Sequence, residues 1–377
     1  MECHGPLPDP VIRLPSVQLV GAQKSGTSAI ADWLFGAGGF RRPKVFDGEP
    51  PYYSKEVHFF DIDHRYHKGP EFYGQRFYQQ SDCRTLDATP DTLQFPKRVS
   101  ETYKNAGGDQ KEKLKIIVIL REPIARELSL YNHLAHDCRF LDNLKRNQWH
   151  NQVMKKDADG VSRIMSFQQF VRNHSIPALQ QKVKHGRSTR YSLYANHLSA
   201  WFQVFSRKQI LVLAYEELCS QPEKLQQRIQ SFLGYDIPGR IQRGSNSNEN
   251  TYKVRAPSPS TRESLQAVFH TENEKLYQLL EAHPGPGAEQ SPFPKFGGYA
   301  VVPAATVTRP PTTLGMQDPG RQEKRKSVQV EKRRRSVLPK LGEPPSSLDE
   351  LARGSDKHSA FEDKAKHCAE KKARKTR

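Results

Sequence analysis

The run Val17-Gln18-Leu19-Val20-Gly21-Ala22-Gln23-Lys24-Ser25-Gly26-Thr27-Ser28-Ala29-Ile30 restricts what this chain can fold into more than any other stretch. Mostly apolar residues lead into Gly21, and Gly26 follows. From Ala29-Ile30 to Trp33-Leu34 the apolar spacing fits one helix face. The order reads as strand, glycine loop, helix. Such a loop turns backbone N–H groups toward one spot at the positive end of a helix dipole, a place that suits phosphate. Lys24, Ser25, Thr27 and Ser28 add one charge and three hydroxyls to that cradle. The fold expected is α/β: a P-loop-like domain with a central parallel sheet flanked by helices.

Residue order inside the loop separates two chemistries. A nucleotide-hydrolysing loop reads G-x-x-x-x-G-K-[ST], with Lys after the last Gly. Here Lys24 precedes Gly26 and no Lys follows it. Gly21-x-x-Lys24-Ser25-Gly26-Thr27-Ser28 resembles the 5′-phosphosulfate loop of sulfotransferases that use 3′-phosphoadenylyl sulfate (PAPS). A helix N-cap in some other α/β protein has the same outline, so the rest of the chain decides.

Ser54-Lys55-Glu56-Val57-His58-Phe59-Phe60-Asp61 interleaves acid, base and imidazole with apolar residues. Val57, Phe59 and Phe60 can anchor it in a core. Glu56 and His58 share one face if the backbone is extended. A carboxylate beside an imidazole suits proton transfer, although a half-buried edge strand with solvated polar residues has the same pattern. The segment resembles the one following the phosphosulfate loop in glycosaminoglycan sulfotransferases, the heparan sulfate 3-O- and N-sulfotransferase group. The resemblance implies that Glu56 is the catalytic base and that His58 orients it or the acceptor. It also implies that Lys55 and Asp61 lie at the substrate. Thr85-Leu86-Asp87-Ala88-Thr89-Pro90 reads as a short strand ending before Pro90. It resembles that family's acceptor segment, which implies Thr89 at the substrate. The family's Lys before Thr-Pro is here Ala88, so one catalytic helper is missing or supplied from elsewhere.

Lys115-Ile116-Ile117-Val118-Ile119-Leu120-Arg121 is a β-branched run that suggests a strand buried on both faces. Arg121 then emerges at its carboxyl end, where open α/β sheets place ligands. Pro123 suits a first helical turn, and Ser129 follows about two turns later. This arrangement resembles the family's 3′-phosphate site and implies that Arg121 and Ser129 grip the 3′-phosphate of PAPS. A planar guanidinium suits that task because it makes two charge-assisted hydrogen bonds. Further on, a helix is expected over 191–202, a strand over 209–213, and a helix from Pro222 to a Gly234 cap. Tyr252-Lys253-Val254-Arg255-Ala256-Pro257 resembles the family's loop closing over the nucleotide, implying roles for Lys253 and Arg255. Val254 stands where that loop has Gly, and the cysteine pair preceding the family's loop is absent. Ser260-x-x-Glu263 reads as a capping box opening the last helix.

Composition sets the outer bounds. The chain has 377 residues, enough for one large domain with extensions. Hydrophobic residues make up 35%, low for a chain folded throughout. The reading is an extended lead over 1–14, a sulfotransferase domain over 15–297, and a disordered basic tail over 298–377. The tail carries Lys324-Arg325-Lys326 and Lys332-Arg333-Arg334-Arg335. A net charge of +18 calls for an anionic partner. The five cysteines are scattered without a C-x-x-C pair, so no zinc framework can be argued and a single bridge stays open. No apolar run reaches the ~20 residues of a membrane span, and the start lacks a basic-then-apolar signal.

The family resemblance implies PAPS as sulfuryl donor and a carbohydrate acceptor, a glycosaminoglycan-like polysaccharide sulfated at a hydroxyl or amine. It also implies work in the Golgi lumen. Neither nucleic acid nor a metal is expected, because Lys24 and the loop supply the positive charge. Two other classes stay open. A P-loop kinase requires Mg²⁺ and a Lys after the last loop Gly. A non-catalytic polyanion-binding protein on a decayed fold would bind through its basic tail.

Overall fold

A computed structural model describes residues 12–80, 83–140, 150–180, 187–242, 254, 256–289 and 291–297. The chain divides into two units, Met1–Pro303 and Ala304–Arg377, and every described residue belongs to the first. Residues 1–11 of the lead expected over 1–14, and the whole tail over 298–377, lie outside the described residues.

The strands are β1 (Val17–Gly21), β2 (Phe40–Arg41), β3 (Arg84–Asp87), β4 (Lys115–Leu120), β5 (Met154–Lys156), β6 (Ser162–Ile164) and β7 (Ile210–Ala214). Five of them form one sheet in the order β2-β3-β1-β4-β7, every pair parallel. β5 and β6 make a separate antiparallel hairpin. The apolar run of β4 explains its central position. Successive side chains of a strand leave by opposite faces, and here both faces are covered. Ile116, Val118 and Leu120 join a core that includes Val99, Tyr103, Leu198 and Trp201. Ile117 and Ile119 join the opposite core, with Ile30, Leu34, Leu225 and Ile229.

Those core residues come from helices on the two faces. The main helices are α1 (Thr27–Gly36), α2 (Pro96–Asn105), α3 (Pro123–Phe140), α4 (Tyr194–Val204), α5 (Tyr215–Ser220), α6 (Pro222–Leu233) and α7 (Pro259–Ala282). Gly234 closes α6 in the left-handed conformation, φ 83°, as its place in the sequence leads one to expect. Two expected helix starts move. The helix expected over 191–202 begins at Tyr194. α7 is capped by Ser258, whose hydroxyl accepts the Thr261 amide, rather than by Ser260.

The strand order reverses beside β1. From β1 the chain moves out to β2 and β3, then returns past β1 to β4 and on to β7. The loops leaving β1 and β4 therefore flank one crevice at the carboxyl end of the sheet, the place where such sheets bind ligands. Among the described residues no helix is long and apolar enough to cross a membrane. Cys83 is disulfide-bonded, and Cys219 is a free thiol.

Candidate active site

The loop after β1 enters α1 through two backbone positions with positive φ. Lys24 has φ 67° and Gly26 has φ 94°. A Cβ on Gly26 would sit 2.8 Å from the Tyr215 ring, so both conformation and space require glycine. The first amides of α1 have no intrahelical acceptor, and no side chain caps them. Ser25 and Thr27 are buried at the base of the loop, while Ser28 is exposed at its rim. An uncapped helix start beside a half-buried lysine is chemically suited to a phosphate group. Burial first, and then the nearby Arg121, lower the Lys24 ammonium to a pKa of about 8.

Two arginines from the neighbouring strand–helix unit hold this loop. Arg121 Nη1 donates to the Lys24 carbonyl at 3.1 Å, and Arg126 Nε donates to the Gln23 carbonyl at 2.8 Å. The Arg121 guanidinium lies over the Tyr215 ring, 4.5 Å from its centroid. Arg121 and the Lys24 turn thus stand on the same side of the sheet. Ser129 lies further along α3, half-buried. Asn132, one turn past it, exchanges two hydrogen bonds with Val254: Nδ2 donates to its carbonyl at 2.9 Å and Oδ1 accepts its amide at 3.0 Å. Lys253 and Arg255, on either side of Val254, lie outside the described residues.

The Lys55–Asp61 segment is not a strand, so the condition under which Glu56 and His58 would share one strand face is not met. It leaves a 3-10 turn at Pro51–Ser54, and His58 has φ 51°. Fixed groups around the end of β3 determine its path. The Ala88 amide donates to the Lys55 carbonyl at 3.2 Å, and the His58 amide donates to Thr89 Oγ1 at 3.1 Å. The side chains then converge in another way. Lys55 Nζ donates to Ser28 Oγ at 2.9 Å and also to Glu56 Oε1. His58 Nε2 lies 3.4 Å from Glu56 Oε2, and its Nδ1 lies 2.9 Å from Asp61 Oδ2. The base segment is therefore tied to the phosphate loop through one ammonium.

The charges in this cluster set one another. Burial opposes the imidazolium of His58, but its bonds to Asp61 and Glu56 outweigh burial and raise its pKa to about 11. Burial also works against the Glu56 carboxylate. The hydrogen bond from His58 and the ammonium of Lys55 overcome it, holding Glu56 below its ordinary value and ionised. Asp91 is pushed up by burial and by Asp61, and accepts a very short bond from Tyr191. Ligand atoms of His58, Asp61 and Asp91 come within 4.8 Å of one another, a spacing a cation could bridge.

Thr89, expected at the substrate, lies directly behind the base segment. It is fully buried, its hydroxyl donating to Asp87 Oδ1 at 2.6 Å while accepting the His58 amide. Its position serves to hold the base segment. Ala88 is likewise fully buried, and the cations at Glu56 are Lys55 and His58. Asp87, Asp91, Arg126 and the Glu49–Arg65–Arg76 cluster are residues of this neighbourhood that the sequence reading did not single out. Only Asp91 had a usable hint, an acid directly after Thr-Pro at a helix start. Asp87 also accepts from Tyr73 Oη at 2.8 Å, and Tyr73 in turn receives Gln18 Nε2 at 2.6 Å. Arg65 donates to the Val57 carbonyl, with Glu49 bound to both Arg65 and Arg76 behind it.

A family model described as Sulfotransferase domain matches residues 14–254. Heparan sulfate glucosamine 3-O-sulfotransferase 5 of Homo sapiens is 25% identical over 298 residues, covering 72% of this chain and 74% of its own length. The bifunctional heparan sulfate N-deacetylase/N-sulfotransferase 1 of Homo sapiens is 27% identical over 228 residues, covering 59% of this chain and 22% of its own. A solved structure, the sulfotransferase from Alicyclobacillus acidocaldarius, is 21% identical with a TM-score of 0.44, covering 71% of this chain and 96% of that one.

Proposed function

This chain belongs to the sulfotransferase domain family, and we propose that it transfers the sulfuryl group of PAPS to a hydroxyl or amine of a glycosaminoglycan-like polysaccharide. Membership in that family speaks against the P-loop kinase alternative, and the retained grouping of Lys24, Glu56 and Arg121 speaks against a non-catalytic binder on a decayed fold. The observation that carries the reading is the joining of three groups at one crevice. Arg121 touches the Lys24 turn, and Lys55 joins that turn to Glu56.

PAPS, when bound, supplies an activated sulfuryl group on a phosphosulfate anhydride. The chain's own residues supply the rest. The α1 amides with Thr27 and Ser28 hold the 5′-phosphate, and Arg121 with Ser129 holds the 3′-phosphate. Lys24 is still protonated at neutral pH yet gives up its proton readily at about 8, so it can donate to the leaving bridging oxygen. Glu56 takes the acceptor's proton. His58, held as a cation by Asp61 and Glu56, orients that carboxylate. Lys55 and Asp61 border the acceptor. Positive charge at the leaving oxygen comes from Lys24 and the helix amides, so the scheme runs without a metal. A polysaccharide acceptor of this class sets the working compartment as the Golgi lumen, and the chain's net charge of +18 suits its negative charge.

Transfer from radiolabelled PAPS to desulfated heparan sulfate tests these roles. Glu56→Gln and Lys24→Ala are each expected to lower kcat by about 10²–10³-fold, the usual cost of losing a positioned proton carrier or charge at the transition state. A near-normal rate in either variant contradicts the assignment.

A further inference from the structure

Large hydrophobic side chains exposed among the described residues are Val45, Tyr52 and Val161, and Tyr52 is the most exposed at 56%. A single exposed aromatic is ordinary on any protein surface. Tyr52 differs in where it stands and how firmly it is held. Its carbonyl accepts the amides of Lys55 and Glu56 at 3.0 and 3.1 Å, so it forms the base of the turn that presents the catalytic segment. Pro50 and Pro51 restrict the chain that leads into it. Its ring meets Tyr53 edge-on, with centroids 4.8 Å apart, and stands perpendicular to His58 at 6.0 Å. Tyr53 is itself buried beneath the Arg65 guanidinium at 4.1 Å. The exposed part of the Tyr52 ring is therefore a fixed platform at the edge of the Glu56–His58 pair.

We propose that Tyr52 is the acceptor platform: the apolar C–H face of a pyranose ring lies against it, which brings a substituent of that ring to Glu56. The proposal rests on the carbohydrate reading given above. An aromatic side chain suits the task because it offers a large apolar area and fixes only two side-chain torsions. The donor's phosphates are already accounted for by the β1 and β4 loops. What stacks on Tyr52 is then the partner that carries the nucleophile, since the Tyr52 turn leads straight into the base.

The test is initial-rate kinetics with PAPS and desulfated heparan sulfate for the full chain and for Tyr52→Ala, Tyr52→Phe and Tyr52→Trp. Calorimetric titration with 3′-phosphoadenosine 5′-phosphate (PAP) checks the donor site of each. Tyr52→Ala is expected to raise the acceptor KM about tenfold, the effect of losing one aromatic contact. PAPS KM, PAP affinity and kcat at saturating acceptor should stay near wild type, and Phe and Trp should restore most of the acceptor KM. An unmoved acceptor KM in Tyr52→Ala overturns the platform and leaves the carbohydrate reading intact. A matching loss of PAP affinity also overturns it, because Tyr52 would then merely support the segment. If the wild-type chain sulfates a simple phenol and no polysaccharide, the carbohydrate reading falls and the platform with it.

Discussion

Lys24 sits where the charges of the site compete. Burial and Arg121 both push against its ammonium, and its backbone takes a left-handed conformation uncommon for a side-chain-bearing residue. A lysine titrating at about 8 is charged at neutral pH and loses its proton as pH rises through that value. If the protonated form assists departure of the leaving group, kcat/KM for PAPS should fall on the alkaline side with a limb near pH 8. Lys24→Arg should move that limb beyond the measurable range, because a guanidinium stays charged. A flat profile to pH 9.5 in the wild-type chain would remove Lys24 from the proton path. Lys24, Glu56, His58, Arg121 and Ser129 stand out in the sequence because each sits in a short pattern with its own chemistry. The sequence could not show Thr89 as a buried tether or Asp91 as a partner of Tyr191, since those roles depend on residues distant in the chain.

At the scale of elements, local periodicity and tertiary restraint explain which parts were legible. β1, α1, β4 and α6 were readable because their apolar spacing is local and strong, and their ends carry Gly or Pro signals. The extended option for residues 54–61 fails because Asp87 and Thr89, distant in the chain, shape the segment together with Arg65. Its rear support is Glu49, which accepts from Arg65 and from both Nη atoms of Arg76. The Arg76 hydrogen bonds are the main reason that the Glu49 carboxyl titrates at about 2. Because that value lies below the unfolded one, ~4.3, the stabilisation is complete above the unfolded value and is lost as pH falls toward 2. Glu49→Gln leaves two arginines without their counter-ion, and should cost about 3 kcal/mol at neutral pH. The loss should shrink in urea melts run at progressively lower pH. A difference between the two proteins that does not change between pH 7 and pH 3 would mean that the pair does not hold this face together.

On the scale of the whole molecule, the order β2-β3-β1-β4-β7 is what makes one binding crevice from two motifs almost a hundred residues apart. The motif order in the chain suggested that arrangement, and the sheet supplies the reason: β1 and β4 are neighbours, so the loops that leave them share an edge. If these loops grip separate phosphates, as proposed above, the ligand is a nucleotide with phosphate at both the 5′ and 3′ positions. Calorimetric titration of the full chain and of Arg121→Ala with PAP and with AMP, which lacks the 3′-phosphate, tests this most directly. The wild-type chain should prefer PAP by about 10–100-fold, the worth of hydrogen bonds to a charged group, and Arg121→Ala should bind both nucleotides alike and about as weakly as wild type binds AMP. Equal affinities for PAP and AMP in the wild-type chain, or a preference that survives Arg121→Ala, would contradict the account.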